Sequence, residues 1–429
     1  MSALLLYAIP LVLIVAFYLL RRRRREVESA QTLKTSVEAG LTEPASLHPV
    51  IEPRACIGSG SCVAACPEGA LGIVQGKAHL VNPTVCIGHG ACRAACPTDA
   101  IQLVFGTARR GVDIPQVKPN FETNVDGIFI AGELGGMGLI RKAAEQGRQA
   151  IDAIRAAGRR GTDVDVVIVG AGPAGLAAGL GAIQHGLRYA LLEQEDSLGG
   201  SVYHYPRNKI AMTAPVVLPV IGKVKFGEVS KETLLDFWHD VVQRTGLEIR
   251  CRERMEGIDR DGAGFIVRTQ GHTYRAGAVL LAIGRRGTPR KLGVPGEEQA
   301  KVVYRLVDPE QYRGRRVLVV GGGDSALEAA LAVAGEPGTQ VTLSYRGEAF
   351  SRVKEKNRKS VEAAQAARRI DVRMRSNVMG IGADRVALEV EGRAREIGND
   401  AVIVCAGGVL PTDLLKQMGV AFETKFGTA

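Results

Sequence analysis

Aromatic residues are scarce in this chain of 429 residues: Phe, Trp and Tyr together make up 5%, with a single tryptophan. That leaves no stacking platform for single-stranded nucleic acid. Charge of one sign is in short supply too. The net charge is +10, and five of those charges form one run, Arg21 to Arg25. The rest is only mildly basic, so nucleic acid is not expected as a partner, although the surplus suits an anionic membrane surface. Cysteine is thin outside one region, with six of the eight between Cys56 and Cys96. The other two, Cys251 and Cys405, lie in or beside apolar strand-like segments and read as buried structural thiols. No basic stretch precedes the first apolar run and no small-residue cleavage site follows it, which argues against a cleaved signal peptide.

That apolar run is ALLLYAIPLVLIVAFYLL, residues 3–20, without a charge. As a helix it would span roughly 27 Å, near the hydrocarbon thickness of a bilayer. The five arginines follow at once, and the positive-inside rule then keeps the bulk of the chain cytoplasmic. Residues 1–25 are thus expected to form a single-pass anchor in the inner (cytoplasmic) membrane. Residues 26–50 are polar, contain Pro44 and Pro49 and show no sustained periodicity. They read as a linker.

Residues 51–106 carry one motif written twice: CIGSGSCVAACP at 56–67 and CIGHGACRAACP at 86–97. It resembles the doubled iron–sulfur motif of bacterial two-cluster ferredoxins, with Ser59 and His89 standing where each run has its second cysteine. Gly58, Gly60, Gly88 and Gly90 would let backbone amides approach the sulfides, and Pro67 and Pro97 end the ligand runs. The resemblance implies that Cys56, Cys62 and Cys96 hold one cluster and Cys86, Cys92 and Cys66 the other, since the last cysteine of each run crosses over. Two readings of the fourth position stand. Each site holds a 3Fe–4S cluster on three thiolates, or Ser59 or His89 supplies an oxygen or nitrogen ligand to a 4Fe–4S cluster. Ser59 also reads as a plain loop hydroxyl. Zinc fits less well, because its usual sites pair two C-x2-C units, and disulfides are rare in the cytoplasm.

From Asp163 the run DVDVVIVGAGPAGLAAGLGAIQHG gives an apolar strand, then Gly170-x-Gly172-x-x-Gly175, then a small-residue helix; LRYALLE follows, ending in Glu193. Glycines there permit a tight turn and close approach of a pyrophosphate to the helix N-terminus, and the acid takes ribose hydroxyls. A second copy, RRVLVVGGGDSALEAALAVA, supplies Gly321, Gly323 and Ala326. Its next strand, QVTLSYRG, ends in Tyr345 and Arg346 where an NAD-specific site would place an acid. That favours NADPH, with Arg346 and Arg352 meeting the 2′-phosphate.

Two such fingerprints resemble the two-dinucleotide-binding-domain flavoproteins, particularly low-molecular-weight thioredoxin reductases and bacillithiol disulfide reductases. Gly199 and Gly200 of LGGS, and the stretches 279–297 and 400–415, fit that pattern. The resemblance covers residues 107–429. It implies an α/β fold with two Rossmann-like domains for FAD and NAD(P), beside a small α+β ferredoxin-like domain and one transmembrane helix. Such proteins close with G-x-F-x-A-G-D and a long helix. Here the chain stops at FETKFGTA, and the closing piece stands at 123–158, with Gly132 and Glu133 in the motif. A circular permutation is therefore expected: 107–160 is the displaced end of the FAD domain, 161–288 the FAD domain, 289–399 the NAD(P) domain and 400–429 the return segment. FGTA occurs at both 105–108 and 426–429, where the seam would lie. In the family, the motif acid contacts the FAD ribityl chain; Glu133 is one methylene longer. The next helix should start at 135–138 and aim its dipole at the flavin.

The departures from the family set the expected function. No C-x-x-C lies in KVVYRLVDPEQYRG (301–314), and Ala174 stands where bacillithiol relatives carry a cysteine. With no dithiol, the iron–sulfur module is the outlet. The expectation is a membrane-anchored FAD-dependent NAD(P)H oxidoreductase. It would pass hydride from nicotinamide to FAD, and single electrons through two iron–sulfur clusters to a redox partner protein or membrane acceptor, or run the reverse. No side-chain acid or base is assigned. Tyr203, His204 and Tyr205 read as packing. Two alternatives stand: a flavin-site reductase of a small or disulfide substrate, with 205–229 shaping the pocket, and a non-enzymatic redox sensor coupled to a membrane partner. A homodimer is a further expectation.

Overall fold

The computed structural model describes residues 2–44, 47–108, 111–136, 138–207, 209–212, 215–285, 287–351, 353–409 and 411–427, with backbone alone for residues 2–9, Met212 and Thr288. Arg352 therefore lies outside the described residues.

Helix α1 (Ser2–Glu38) is continuous, so the expected linker is helical through its first half. A tertiary contact explains why. Glu26 accepts the amide of Gly76 at 2.9 Å, and a Cβ on Gly72 would lie 2.5 Å from Ser29 Oγ. The helix thus lies directly on the neighbouring hairpin. The expected membrane-spanning anchor over 3–20 is not supported: among the described residues no helix is long and apolar enough to cross a membrane.

The cysteine-rich module is small. Strand β1 (His48–Ile51) pairs antiparallel with β4 (Ile101–Val104), and β2 (Leu71–Val74) with β3 (Lys77–Leu80). Two short helices, α2 (Ser61–Ala64) and α3 (Ala91–Ala94), occupy equivalent places in the two copies of the repeat.

A second unit begins with β5 (Val112–Pro115), β6 (Ile128–Ile130) and α4 (Ile140–Ala156). It continues through β7 (Val164–Val169), α5 (Pro173–Gln184) and β8 (Tyr189–Leu192). Two short pairs follow: β9 (Ile210–Met212) with β12 (Glu228–Ser230), and β10 (Val216–Leu218) with β11 (Gly222–Val224). Then come α6 (Lys231–Thr245), β13 (Met255–Asp261), β14 (Gly264–Thr269) and β15 (Thr273–Leu281). Parallel strands run β6–β15–β7–β8, while β14 and β13 extend from β15 antiparallel. The apolar runs of β6, of Val166–Val169 in β7 and of the end of β15 are buried, as a sheet covered on both faces requires. Residues 128–156 thus supply a strand and a helix to the same sheet that the first glycine fingerprint enters. The helix starts at Ile140, not at 135–138, because Gly136 takes a φ of 99° that helix excludes.

The third unit is reached through β16 (Thr288–Pro289), which pairs with β25 (Gly408–Val409) on the way back. Its parallel sheet runs β17 (Val302–Val303), β24 (Ala401–Val404), β18 (Arg316–Val320), β19 (Gln340–Ser344), β20 (Ile370–Arg373). Helices α7 (Asp324–Ala334) and α8 (Glu355–Ala366) cover it, and β21 (Ser376–Ile381), β22 (Arg385–Val390) and β23 (Arg393–Gly398) form an antiparallel meander. After α9 (Thr412–Gln417), β26 (Phe422–Lys425) returns to pair with β5. The two FGT copies meet there: Gly427 donates its amide to Phe105 O at 2.8 Å. Thr428 and Ala429 lie outside the described residues.

Candidate functional site

The two copies of the cysteine motif build two pockets. Backbone at Gly58, Gly60, Gly88 and Gly90 is left-handed, with φ of 69°, 77°, 78° and 75°, so each ligand loop curls the same way before its short helix. The first depression, about 290 Å³, is lined by Cys56, Cys62, Cys96 and Ser59, with Ile51 and Ile101 as apolar wall. The second, about 360 Å³, is lined by Cys66, Cys86, Cys92 and His89, with Glu68 and Leu103. Each therefore gathers two cysteines of one run and the last of the other. Among the described residues no three His, Cys, Asp or Glu side chains are placed to hold a single metal ion, and no cysteine is disulfide-bonded.

The sulfurs sit in different surroundings. Ala78 donates its amide to Cys56 Sγ at 3.4 Å and Ala100 donates to Cys96 Sγ at 3.3 Å. Lys77 Nζ reaches the carbonyl of Cys56 at 2.6 Å. In the second pocket Cys86 Sγ lies 3.9 Å from the carbonyl of Leu47, and burial pushes its thiol up to about 11. Burial likewise raises Cys62 and Cys92. Cys96 moves the other way: what burial costs it is more than offset by hydrogen bonds from Thr98 and Ala100. Convergent thiols, amides aimed at sulfur and apolar walls are what an iron–sulfur cluster needs, and loading it must displace thiol protons.

At the first glycine turn Gly170 has a φ of 103°, and a Cβ there would lie 2.7 Å from Ala282 O. Gly172 approaches Gly200 Cα, so the expected pair Gly199 and Gly200 borders the turn. A side chain at Gly175 would strike Gly170 O at 1.8 Å. Glu193, directly after β8, is buried. One of its oxygens accepts the Ala171 amide at 2.8 Å and the other the Glu195 amide at 3.0 Å. A buried carboxylate bound to the turn at the head of α5 is how a dinucleotide fold presents an acid to a ribose. Gly132 lies against Ala174 in the first turn of α5, and Gln146 accepts its amide at 2.9 Å. Glu133 lies beside Gly138 and Gly284. These residues fit FAD.

Sequence reasoning missed two groups here. Arg285, half-buried, donates to Asp113 O at 2.9 Å. Burial lowers its pKa, opposed by the charges of Glu133 and Asp113. Behind Glu193, Glu253 gathers Tyr274 Oη at 2.7 Å, Thr269 Oγ1 at 2.9 Å and His272 Nδ1 at 3.0 Å. Burial would raise its carboxyl, but these partners lower it overall, while burial and Glu253 push Tyr274 up to about 12. No local motif announces either group.

At the second turn Gly321 has a φ of 144°, and a Cβ would lie 2.4 Å from Cys405 O. Gly323 faces open space. Ala326 is fully buried against Gly321. The Tyr345 ring covers Gly322 and Gly347 and stacks on Phe350 at 5.6 Å. Arg346 is exposed, and no carboxylate ends β19. Tyr203 donates to Asp196, His204 meets Arg305 of the third unit, and Tyr205 packs against the core of the second unit. Cys251, expected to be buried, is exposed. It falls in a turn where Arg252 takes a φ of 56°, not inside a strand. Cys405 is half-buried.

Residues 167–427 match the pyridine nucleotide-disulphide oxidoreductase family, and residues 48–97 match a 4Fe-4S dicluster domain. A ferredoxin–NADP reductase of Ignicoccus hospitalis is 33% identical over 187 residues, covering 43% of this chain and 57% of that one. So the chain spans little more than half that relative's length. A ferredoxin–NADP reductase of Thermus thermophilus is 32% identical over 271 residues, covering 60% of this chain and 77% of that one. Among solved structures, bacillithiol disulfide reductase Bdr from Bacillus cereus has a TM-score of 0.55 at 26% identity, covering 60% of this chain and 82% of that one. The expected circular permutation is not supported by these matches; the family match begins inside β7. This chain therefore belongs to the pyridine nucleotide-disulphide oxidoreductase family, as an FAD-dependent oxidoreductase joined to a 4Fe–4S region.

Proposed function

We propose that the chain takes electrons from NADPH and delivers them through two internal iron–sulfur clusters to a separate electron acceptor, or runs that flow in reverse. One contact carries the reading. A Cβ on Gly136 would lie 2.6 Å from the Phe105 ring, so the last strand of the cysteine module ends against the turn that carries Glu133. The relatives named ferredoxin–NADP reductase support NADP and a ferredoxin-type counterpart. Here the ferredoxin-like part is in the same chain.

Bound FAD supplies the conversion between hydride and single electrons, and bound clusters supply one-electron carriage. The side chains divide the remaining work. Glu193 and the turn from Gly170 to Gly175 hold and orient the adenosine half of FAD. Glu133 and Arg285 set the local charge beside Gly132. The amides at Gly323 and the cation of Arg346 receive NADPH. Cys56, Cys62 and Cys96, and Cys66, Cys86 and Cys92, hold the two clusters. A dithiol route has no cysteine pair to use beside the glycine turns.

We further propose attachment to a membrane surface through α1. Nine large apolar side chains between Leu11 and Leu20 are exposed and lead straight into Arg21–Arg25, a combination that suits an anionic bilayer. The order of segments in the FAD domain is read as a circular permutation, supported by the contact between the two FGT copies.

The test is anaerobic titration with NADPH, followed by flavin absorbance and EPR. Flavin bleaching followed by cluster signals is expected. Failure to bleach would sink the reading. Undiminished NADPH-dependent turnover in a Cys62→Ser, Cys92→Ser double variant would instead favour reduction of a substrate directly at the flavin. Cosedimentation with anionic vesicles tests α1 separately.

A further inference from the structure

The two cysteine pockets share a backbone but differ at one position. Ser59 and His89 occupy the same step of the repeat, each flanked by left-handed glycines at closely matched φ and each followed by a four-residue helix. Both side chains therefore leave the chain in the same frame, and their chemistry separates them. Ser59 is exposed and its short hydroxyl is used locally, accepting the Ser61 amide at 3.4 Å. His89 is half-buried and lines the second pocket beside Cys66, Cys86 and Cys92. Its ring has no hydrogen-bond or ion-pair partner among the described residues. An imidazole beside three thiols that makes no bond within the described protein leaves its ring lone pair available to a group in the pocket.

We propose that His89 is the fourth protein ligand of the cluster held by Cys66, Cys86 and Cys92, while the cluster of Cys56, Cys62 and Cys96 has thiolate ligands alone. The proposal rests on the iron–sulfur reading above. The chemistry is consistent: imidazole is an established iron–sulfur ligand, and replacing a thiolate by a neutral nitrogen removes one negative charge and raises the reduction potential. The two clusters would then differ in kind. The thiolate-only site, with its fourth corner open, suits a 3Fe–4S cluster, and the histidine site keeps four irons. Glu68 also lines the second pocket and is the competing ligand. Its counterpart in the repeat, Thr98, lines the first.

The test uses the full chain, purified anaerobically after growth with isotopically labelled histidine, with iron and sulfide counted and pulsed EPR recorded on the reduced protein. A nitrogen coupling that follows the label is expected from one cluster. His89→Ala should abolish it and add a second 3Fe–4S signal in the oxidised protein. His89→Cys guards against simple misfolding: it should restore four irons without the coupling, at a lower midpoint potential than the native site. Ser59→Ala should leave every signal unchanged. Loaded protein lacking the nitrogen coupling, or a cluster unchanged in His89→Ala, would overturn the proposal. So would conversion by Glu68→Gln but not by His89→Ala. A native protein with no iron or sulfide at all would defeat the iron–sulfur reading itself, a different result from any of these.

Discussion

The two glycine turns start from nearly the same sequence and end in opposite surroundings. Around the first, β8 is followed by a buried Glu193 bound to the turn's own amide. Helix α4 presses so close to α5 that a Cβ on Gly147 would lie 1.9 Å from Ala174 O. Around the second, β19 is followed by Tyr345 and an exposed Arg346, and Gly323 faces open space. The closed turn suits a nucleotide that stays, and the open one suits a nucleotide that exchanges each cycle. That difference follows from what packs behind each turn, not from the glycine spacing they share.

The sharpest way to break the contrast is Gly147→Val. The new side chain runs into the Ala174 backbone, which cannot move aside as a flexible side chain could, so a loss of about 4 kcal/mol or more is expected. The purified protein should carry little flavin and melt far below native. Asp165→Asn should come next. Asp165 is 1% exposed and accepts from Arg160 at 2.7 Å and from Arg188 at 2.8 Å; despite the cost of burial, its carboxyl is held below the usual range by Arg188 and Arg160. The two arginines are half-exposed, which discounts the network, so a loss of roughly 2 kcal/mol is expected by denaturant titration. Glu193→Gln tests the closed turn itself. Exchanging a charged acceptor for a neutral amide should weaken FAD retention by about 10- to 100-fold in a flavin-release assay. At the open turn, Arg346→Glu should lower kcat/KM for NADPH about tenfold or more while NADH is spared. An unchanged ratio between the two nucleotides would remove Arg346 from the site.

Much of this site was legible because its chemistry fixes spacing. Two cysteine runs and two glycine turns admit few substitutes, so their positions could be read directly, while the pairing of cysteines across the repeat came from the resemblance to two-cluster ferredoxins. What resisted reading depended on distant contacts. Helix α1 continues past its apolar run because it lies on the β2–β3 hairpin, where Gly72 of β2 leaves room for Ser29 and Gly76 of the turn donates its amide to Glu26. Cys251 sits among residues that look strand-like, but the chain turns there, so the thiol is exposed. Arg285 and Glu253 are single charges without a motif, and only the folded chain brings them to Glu133 and behind Glu193. The helix after Glu133 starts late because consecutive glycines permit the left-handed step at Gly136, and sequence does not say which glycine will take it.

The smallest effect is expected at the counterpart of Asp165 in the other sheet. Asp400 anchors the start of β18, accepting from the Arg316 backbone at 2.9 Å and from its guanidinium at 2.7 Å. The Arg316 side chain holds the carboxyl at about 2. Both partners are substantially exposed, 44% and 37%, so solvent screens the pair. A depressed carboxylate stabilises above its unfolded pKa and loses that contribution as pH falls through its folded value. Here the window runs from about 4 down to about 2. Asp400→Asn should therefore lower Tm by no more than about 2 °C at pH 7, and by the same amount at pH 5. Added salt should narrow the gap. A gap that already closed between pH 7 and pH 5 would mean that a different group had been removed from play, and that the likeness between the two anchoring aspartates ends at their position.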